Sequence, residues 1–414
     1  MKRRTILTAG AATLVAGCGR GLQETPATTD RTIRIGYLIP KTGNLAVFGE
    51  SNDYVLGVIR NALRDGLTVG GSRYTVEILD RDTQSSGTRA AQVAGELIGR
   101  DGVDIVLATS TPDTTNPVSD QCEAAKVPCL ATICPWEIWY YPRGGKDFTY
   151  TYLYFIGTQA ESQVFARLWQ RVPGGPHTVG ALWPGDVDGD TYRKYFTPVV
   201  RGLGWTLVDP GAYQDGLTDF TPLITKLRDA DILQAAPIPP DFITFWKQAD
   251  QNRFRPRLAT VAKALLFPSA VEALGRLGDN LVAPAWWHAD YPFASSLDGM
   301  TARAFADGYQ QSSGRQWTQP MGMDHAIFEI AVAALKASGD PKDRQAVAAA
   351  IGGLKGEAIT GKYDFSGGPV KNVALAPDLV GQWRLGAAGK FDLVVVDNSA
   401  APEIPVQGEL QFLR

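Results

Sequence analysis

The chain has 414 residues, 44% of them hydrophobic, and a formal net charge of −3. This length suits two or three folded units, and the near-neutral charge gives no electrostatic basis for binding nucleic acid. The 44 glycines and 26 prolines suit a fold with many turns between strands and helices.

The amino terminus is typical of a bacterial export signal. Basic residues at positions 2–4, which include a twin-arginine-like pair, precede an apolar run over 6–16 that is too short to span a bilayer. The run ends in LVAGC, which resembles a lipoprotein cleavage site and predicts lipidation of Cys18; an ordinary secretory signal is the alternative. We therefore predict a signal peptide over 1–18, a flexible tether over 19–31, and an exported protein held at the bacterial membrane by lipid.

An exported protein folds in an oxidising compartment, where disulfides persist. Cys122, Cys129 and Cys134 remain after Cys18, an odd number. A Cys122–Cys129 bridge would close a short loop and stabilise the fold by about 2.5 kcal/mol on the loop-entropy formula. We predict this disulfide, with three buried thiols as the open alternative.

Strands and helices alternate from residue 32 onwards, which predicts doubly wound α/β lobes. The first series is a strand over 32–40, an amphipathic helix around 55–63, a strand over 74–80, a helix over 90–100, a strand over 103–108, a helix over 117–125 and a strand over 127–133. A strand at 152–156 is expected to open a second lobe of the same kind. The tail predicts a hairpin of strands 379–385 and 391–396.

Two of these strands end in segments suited to bind a ligand, because ligands of parallel sheets lie beyond the carboxyl ends of the strands. Residues 109–115 are small and rich in hydroxyls. Residues 134–141 crowd four aromatic side chains behind a Cys-Pro turn: Trp136, Trp139, Tyr140 and Tyr141.

The sequence lacks the constellations that enzymes need. It has no G-x-S-x-G, phosphate-binding or dinucleotide-binding motif, and its three histidines lie far apart. The acidic run at 186–190 resembles the start of a calcium loop but has Thr191 and Thr197 where that loop has glycine and glutamate. We predict no catalysis, cofactor or metal, and interpret Asp188 as a turn residue or a residue that faces a ligand.

Several segments together resemble the solute-binding proteins of branched-chain amino acid ABC importers: IRIGYLIPKTGNLAVFGES, DGVDIVL, TTNPVSD, VPCLAT and TDFTPLITKL. The resemblance implies two α/β lobes joined by a three-stranded hinge, with 32–150 and 285–355 in lobe one and 151–284 and 356–414 in lobe two. It also implies a monomer whose lobes close on a small molecule and whose partner is an ABC permease.

The family's amino-acid site can be carried over position by position. Its first-loop aromatic corresponds to Phe48, and its carboxylate-binding serine to Pro112, in a loop that still offers Ser110, Thr111 and Thr114. The remaining positions correspond to Pro135, which adjoins Trp136, to Asp188, to Ile238, which adjoins Pro239, and to Ala262, which adjoins Lys263. Most groups that recognise an α-amino acid are thus replaced by apolar or aromatic ones.

These positions predict an apolar or aromatic ligand, with or without a carboxylate. Lys263 would favour a carboxylate if it faces the cleft, whereas Asp188 could pair with an ammonium group. The alternatives are a sensor that presents its ligand to a membrane signalling system and a receptor for branched-chain or other amino acids.

Overall fold

The structure is a computed structural model that describes residues 30–413. The predicted signal peptide, Cys18 and nearly all of the predicted tether lie outside the described residues. The strands are β1 (Thr32–Ile39), β2 (Leu67–Val69), β3 (Ser72–Asp82), β4 (Ile105–Ala108), β5 (Cys129–Ala131), β6 (Thr151–Tyr154), β7 (Thr178–Leu182), β8 (Thr206–Val208), β9 (Ile232–Ala235), β10 (Leu258–Val261), β11 (Val282–Ala285), β12 (Lys355–Ala358), β13 (Gly361–Asp364), β14 (Val373–Ala374), β15 (Leu379–Leu385) and β16 (Phe391–Asp397).

From β3 to β11 the helices alternate with the strands as the sequence pattern predicts, and three helices then follow β11 in succession. The helices are α1 (Asn52–Ala62), α2 (Gly87–Gly99), α3 (Pro112–Ala125), α4 (Trp136–Tyr140), α5 (Thr158–Trp169), α6 (Val187–Gly202), α7 (Thr221–Leu227), α8 (Pro239–Gln251), α9 (Pro268–Glu272), α10 (Ala302–Ser313), α11 (Gln319–Ala337) and α12 (Arg344–Gly353). Short 3₁₀ turns at Ala46–Gly49, Ala264–Leu266 and Gly275–Gly278 complete the loops.

Two seven-stranded sheets form two lobes, which confirms the predicted α/β class. The first sheet has the order β14-β6-β5-β4-β1-β3-β2, and the second β16-β15-β11-β10-β9-β7-β8. In the first sheet all pairs are parallel except β2 with β3. The second sheet is parallel from β8 to β11 and ends in two antiparallel strands, β15 and β16, which form the predicted hairpin.

The chain passes between the lobes three times, and the three passages lie side by side. They are residues 155–157, the segment after β11, and residues 375–378 between β14 and β15. The Phe155 ring packs edge-on against Trp286 at 4.7 Å between centroids, and the Ala376 N–H donates to the Phe155 carbonyl at 3.3 Å. One residue of the first passage therefore touches both of the others.

Two predicted boundaries differ from this topology. The strand at residue 151, expected to open the second lobe, pairs with β5 in the first sheet. The last passage lies at 375–378 rather than near residue 355, because β14 pairs with β6 before the chain leaves the first lobe. Hydrophobic runs mark strands, but they do not show which of two similar sheets a strand joins.

The helix predicted over 117–125 begins five residues earlier, at Pro112. Thr111 has the extended backbone of an N-cap residue, and Pro112 takes the first helical position, where proline has no hydrogen bond to lose. Pro117, the predicted first residue of this helix, lies inside it, five residues after its start.

The predicted Cys122–Cys129 disulfide is absent, because all three described cysteines are free and buried. Cys122 in the last turn of α3 and Cys129 in β5 are hydrogen-bonding neighbours. Burial raises the pKa of the Cys122 thiol well above its ordinary value, and Cys129 raises it further. Proximity was thus predicted correctly, but the bond was not.

Candidate functional site

The candidate site lies where the carboxyl ends of the two sheets meet. Phe48, in the loop after β1, packs edge-on against Phe267, which follows β10 in the other lobe, with ring centroids 5.0 Å apart. Both rings are buried. The predicted first-loop aromatic therefore forms a direct contact between the lobes.

Lobe one contributes a set of buried hydroxyls after β4. The side-chain oxygens of Ser110, Thr111 and Thr115 have no hydrogen-bond partner among the described residues. Thr114, predicted with them, instead donates to the Ser110 carbonyl. Because a buried hydroxyl without a partner is unfavourable by about 1–3 kcal/mol, this loop is suited to bind polar ligand atoms.

The local backbone explains why these hydroxyls cluster. Ser110 has a φ of 47° in the left-handed region, which turns the chain sharply at the end of β4. Pro112 then starts α3, so the hydroxyls lie at the amino terminus of a 14-residue helix. That end carries a partial positive charge and favours acceptor or anionic groups.

Lobe two contributes an ion cluster formed by the ends of β7 and β10. Lys263 Nζ lies 2.6 Å from Asp188 Oδ2 and 3.3 Å from Asp186 Oδ2, and only 12% of the lysine side chain is exposed. The Gly189 N–H donates to Asp186 Oδ1 at 2.7 Å, which fixes this aspartate at the start of α6. Ala262 is buried in the lobe core, so Lys263 is the residue of this pair that reaches the site.

The contact between Lys263 and Asp188 favours the charged form of each group. Burial raises the pKa of Asp188 to about 6, and Lys263 opposes that rise. Burial alone would lower the pKa of Lys263, but Asp188 and Asp186 raise it above its ordinary value. The two residues therefore neutralise each other in a largely buried position.

Further carboxylates surround this lysine. Asp113 of lobe one and Asp215 of lobe two act electrostatically on Lys263, and the pKa of each is raised by burial and by Asp186. The expectation that Lys263 would attract a ligand carboxylate depended on an unpaired lysine. In the structure Lys263 is paired and its neighbours are acidic, so this part of the prediction needs correction.

The two tryptophans of the aromatic segment 134–141 differ in burial. Trp139 is fully buried, and its indole N–H donates to Ser119 Oγ at 3.1 Å, so it stabilises the lobe. Trp136 is half-buried and packs on Tyr140 and Tyr141 beside Gly157, in the first passage between the lobes. Of the two tryptophans, only Trp136 has surface available to a ligand.

The other predicted residues are placed at strand and helix ends. Pro135 is the N-cap residue of α4 and is half-buried. Ile238 and Pro239, after β9, are the N-cap and first residues of α8, and both are buried. They place buried apolar side chains next to the end of β9, which lies between β7 and β10 in the sheet.

The sequence did not identify several residues that the structure brings to this region. Phe267, Asp186, Asp113 and Thr115 lie there, as does Tyr213, whose buried hydroxyl has no hydrogen-bond partner among the described residues. Asp113 and Thr115 lie within the hydroxyl-rich segment 109–115, and Asp186 lies within the acidic run 186–190, so the sequence marked their segments but not these side chains. No signal in the sequence pointed to Phe267 or Tyr213.

Two α/β lobes that are joined by three passages and meet at their strand ends have the architecture of a two-lobed binding protein. A model of the family described as periplasmic binding protein matches residues 32–384, so the chain belongs to this family. No curated protein matches the sequence. In the part of the chain that the structure covers, no helix has the length and apolar character of a membrane span.

Solved structures share this fold at low identity. A leucine-binding protein, LivK, from Thermotoga maritima has a TM-score of 0.74 at 18% identity, covering 89% of this chain and 99% of its own. LivJ from Streptococcus pneumoniae, in complex with isoleucine, has 0.73 at 16%, covering 88% and 99%. A solute-binding protein from Rhodopseudomonas palustris, in complex with 4-hydroxybenzoate, has 0.74 at 16%, covering 88% and 96%.

Proposed function

We propose that this protein is an exported, lipid-anchored solute receptor that captures a small ligand between its lobes and delivers it to an ABC permease. The observation that carries the proposal is the set of buried hydroxyls without partners, Ser110, Thr111 and Thr115, at the edge where the lobes meet. A ligand that bonds to these oxygens would satisfy them and favour the closed arrangement.

The ligand that suits the site best has an apolar or aromatic body and a polar end. Ile238, Pro239 and Phe48 place buried apolar side chains at the ends of their strands, and Trp136 offers a partly exposed ring. A hydroxyl, amide or carboxylate end would be bound by the hydroxyl loop at the start of α3, rather than by Lys263. The relative crystallised with 4-hydroxybenzoate supports such a ligand, whereas the relatives named for leucine and isoleucine support the amino-acid alternative.

The direct test is to identify what the protein carries. Small molecules released from purified protein by denaturation should include an apolar or aromatic compound, detected by mass spectrometry. Calorimetry with that compound should then give micromolar or tighter binding. A protein that releases nothing and binds no member of a panel of hydroxybenzoates, aliphatic acids and amino acids would contradict the proposal.

Trp136→Ala should weaken binding of the released compound by about 1–3 kcal/mol, the usual loss when an aromatic anchor is removed. Calorimetry measures the change. Trp205→Ala is the matched control, because Trp205 is also half-buried but lies in the other lobe. It directly precedes β8, an edge strand of the second sheet. Equal affinities of the wild type and Trp136→Ala would show that Trp136 only packs on its tyrosine neighbours.

Cys18→Ser should release the protein from the membrane fraction. A single acyl chain binds a membrane only marginally. A stable anchor at Cys18 therefore requires that this one cysteine carry several acyl chains. Fractionation of cells that express each form, followed by immunoblotting, measures the distribution. Cys134→Ser, at a buried thiol, is the control and should leave the protein membrane-bound. Unchanged partition of Cys18→Ser would rule out the anchor.

A further inference from the structure

The ion cluster of lobe two joins the ends of β7 and β10 within the candidate site. Lys263 Nζ is 2.6 Å from Asp188, which is itself buried, and the lysine side chain is nearly covered. An ammonium group bonded to buried carboxylates is also what a bound amino acid would present. Here the ammonium belongs to the protein.

We propose that Lys263 supplies from within the protein the positive charge that an amine-bearing ligand would bring, and thereby excludes ligands with a free ammonium group. The inference rests on the proposed function, since it concerns the choice of ligand at the same site. Lys263 is a specificity-determining residue in this proposal, and Asp188 is its main counter-ion.

The charges around Lys263 support this assignment. Asp186 and Asp188 lie within ion-pair distance, and Asp113 and Asp215 lie near enough to act on the lysine charge. Without Lys263 the buried Asp188 would lack its counter-ion, and an uncompensated buried charge is strongly unfavourable. The buried Asp188 needs one ammonium group as its counter-ion, and Lys263 already provides it at 2.6 Å.

A ligand ammonium in the wild-type protein would have to displace Lys263 or be buried beside it. Displacement would leave the lysine without its carboxylates, and burial beside it would place two positive charges together. A ligand without an amine meets neither penalty. The ion cluster thus lowers the affinity for ligands that carry an amine, and it contributes no attractive contact to the ligand that does bind.

The experiment removes the ammonium group of Lys263 by substitution and offers methylammonium as a small replacement for it. Lys263→Ala, folded as judged by circular dichroism, should bind methylammonium at least tenfold more tightly than the wild type by calorimetry. Methylammonium should also raise the urea midpoint of Lys263→Ala above its value in equal sodium chloride. Leucine, which carries the same group on a larger body, should gain at least tenfold in affinity for Lys263→Ala.

Lys263→Arg is the matched control, because it retains the charge and should remain unresponsive to methylammonium. If Lys263→Ala does not fold, Lys263→Ala/Asp186→Asn keeps Asp188 as a single carboxylate and is tested in the same way. A lysine-free variant that responds to methylammonium no more than the wild type does would overturn the inference.

The outcome separates this inference from the proposed function. A native ligand with a free ammonium group would overturn the inference and leave the receptor function standing. A wild type that carries and binds nothing, combined with methylammonium binding by Lys263→Ala, would overturn the receptor function and leave the role of Lys263 standing.

Discussion

Gly189→Ala should destabilise the protein by about 3 kcal/mol, near the upper end of the range for overpacking a dense region. A Cβ atom at Gly189 would lie 1.9 Å from the Pro184 carbonyl oxygen and 2.9 Å from its carbon. Backbone has no rotamer to change, so the first turn of α6 would have to move. That turn carries Asp186 and Asp188, so the substitution should also separate these carboxylates from Lys263.

Urea unfolding measures the first effect, and Gly202→Ala provides the control. Gly202 ends the same helix, and nothing lies within 4 Å of a Cβ added there. Alanine forms helix better than glycine by about 1 kcal/mol, so Gly202→Ala should be neutral or slightly stabilising. Equal urea midpoints for the two variants would show that the loop after β7 can move to accept the added Cβ without loss of stability.

Asp378→Asn should stabilise the protein above pH 7 by about 1–3 kcal/mol, because the buried carboxyl must ionise there without a hydrogen-bond partner, whereas the amide stays neutral. Asp378 lies in the third passage between the lobes, and neither of its carboxylate oxygens has a hydrogen-bond partner among the described residues. Burial raises the pKa of Asp378 to about 7, with Arg167 lowering it and Glu137 raising it.

The sign of the pH dependence follows from proton uptake. Between about pH 4, where an unfolded aspartate ionises, and about pH 7, the folded state holds a proton on Asp378 that the unfolded state has lost. The wild type should therefore lose stability as the pH rises through this window, and the loss is complete above it. Asp378→Asn should flatten that part of the curve and match the wild type at pH 4.

Urea midpoints from pH 4 to pH 8 test this prediction. A smaller slope should remain in the variant, because burial and Asp378 also raise the pKa of Glu161, and burial raises the pKa of Asp324 to about 7. Asp364→Asn is the control, because hydrogen bonds from Ser366 and Lys355 lower the pKa of Asp364 to about 2. That substitution should not alter the slope between pH 4 and pH 7. If the urea midpoint of Asp378→Asn changed with pH as steeply as that of the wild type, the carboxyl of Asp378 would not be protonated in the folded protein between pH 4 and pH 7.

The alternation of strands and helices was predictable because each buried strand and each amphipathic helix has its own hydrophobic period. The hydroxyl loop after β4 was predictable for a related reason, since the end of a parallel strand is a recurrent ligand position. Both features are local, and the sequence carries them within windows of about ten residues.

The ion cluster was not predictable in this way. Asp188 and Lys263 are 75 residues apart, and their pairing depends on β7 and β10 lying on either side of β9. Each residue alone suggested an unsatisfied charge that a ligand would meet. Sheet order, which the sequence pattern does not specify, turned two separate candidates into a neutral pair.

The Phe48–Phe267 contact was missed for the same reason, because it joins two lobes whose relative position depends on three passages of the chain. The predicted disulfide shows the opposite error. Short separation in sequence placed Cys122 and Cys129 correctly as neighbours, but a covalent bond also requires a side-chain geometry that spacing does not report.

The three passages also constrain how such a protein can be divided or recombined. Strands of the first sheet come from residues 32–154 and 373–374, and those of the second from 178–285 and 379–397. Neither lobe is one contiguous stretch of gene, so a single junction at residue 156 would leave the first half without β14 and the second half with that extra strand of the other sheet. A chimera that exchanges a whole lobe with a relative needs a matched junction at every passage, and ligand preference should be transferred more readily by loops than by lobes.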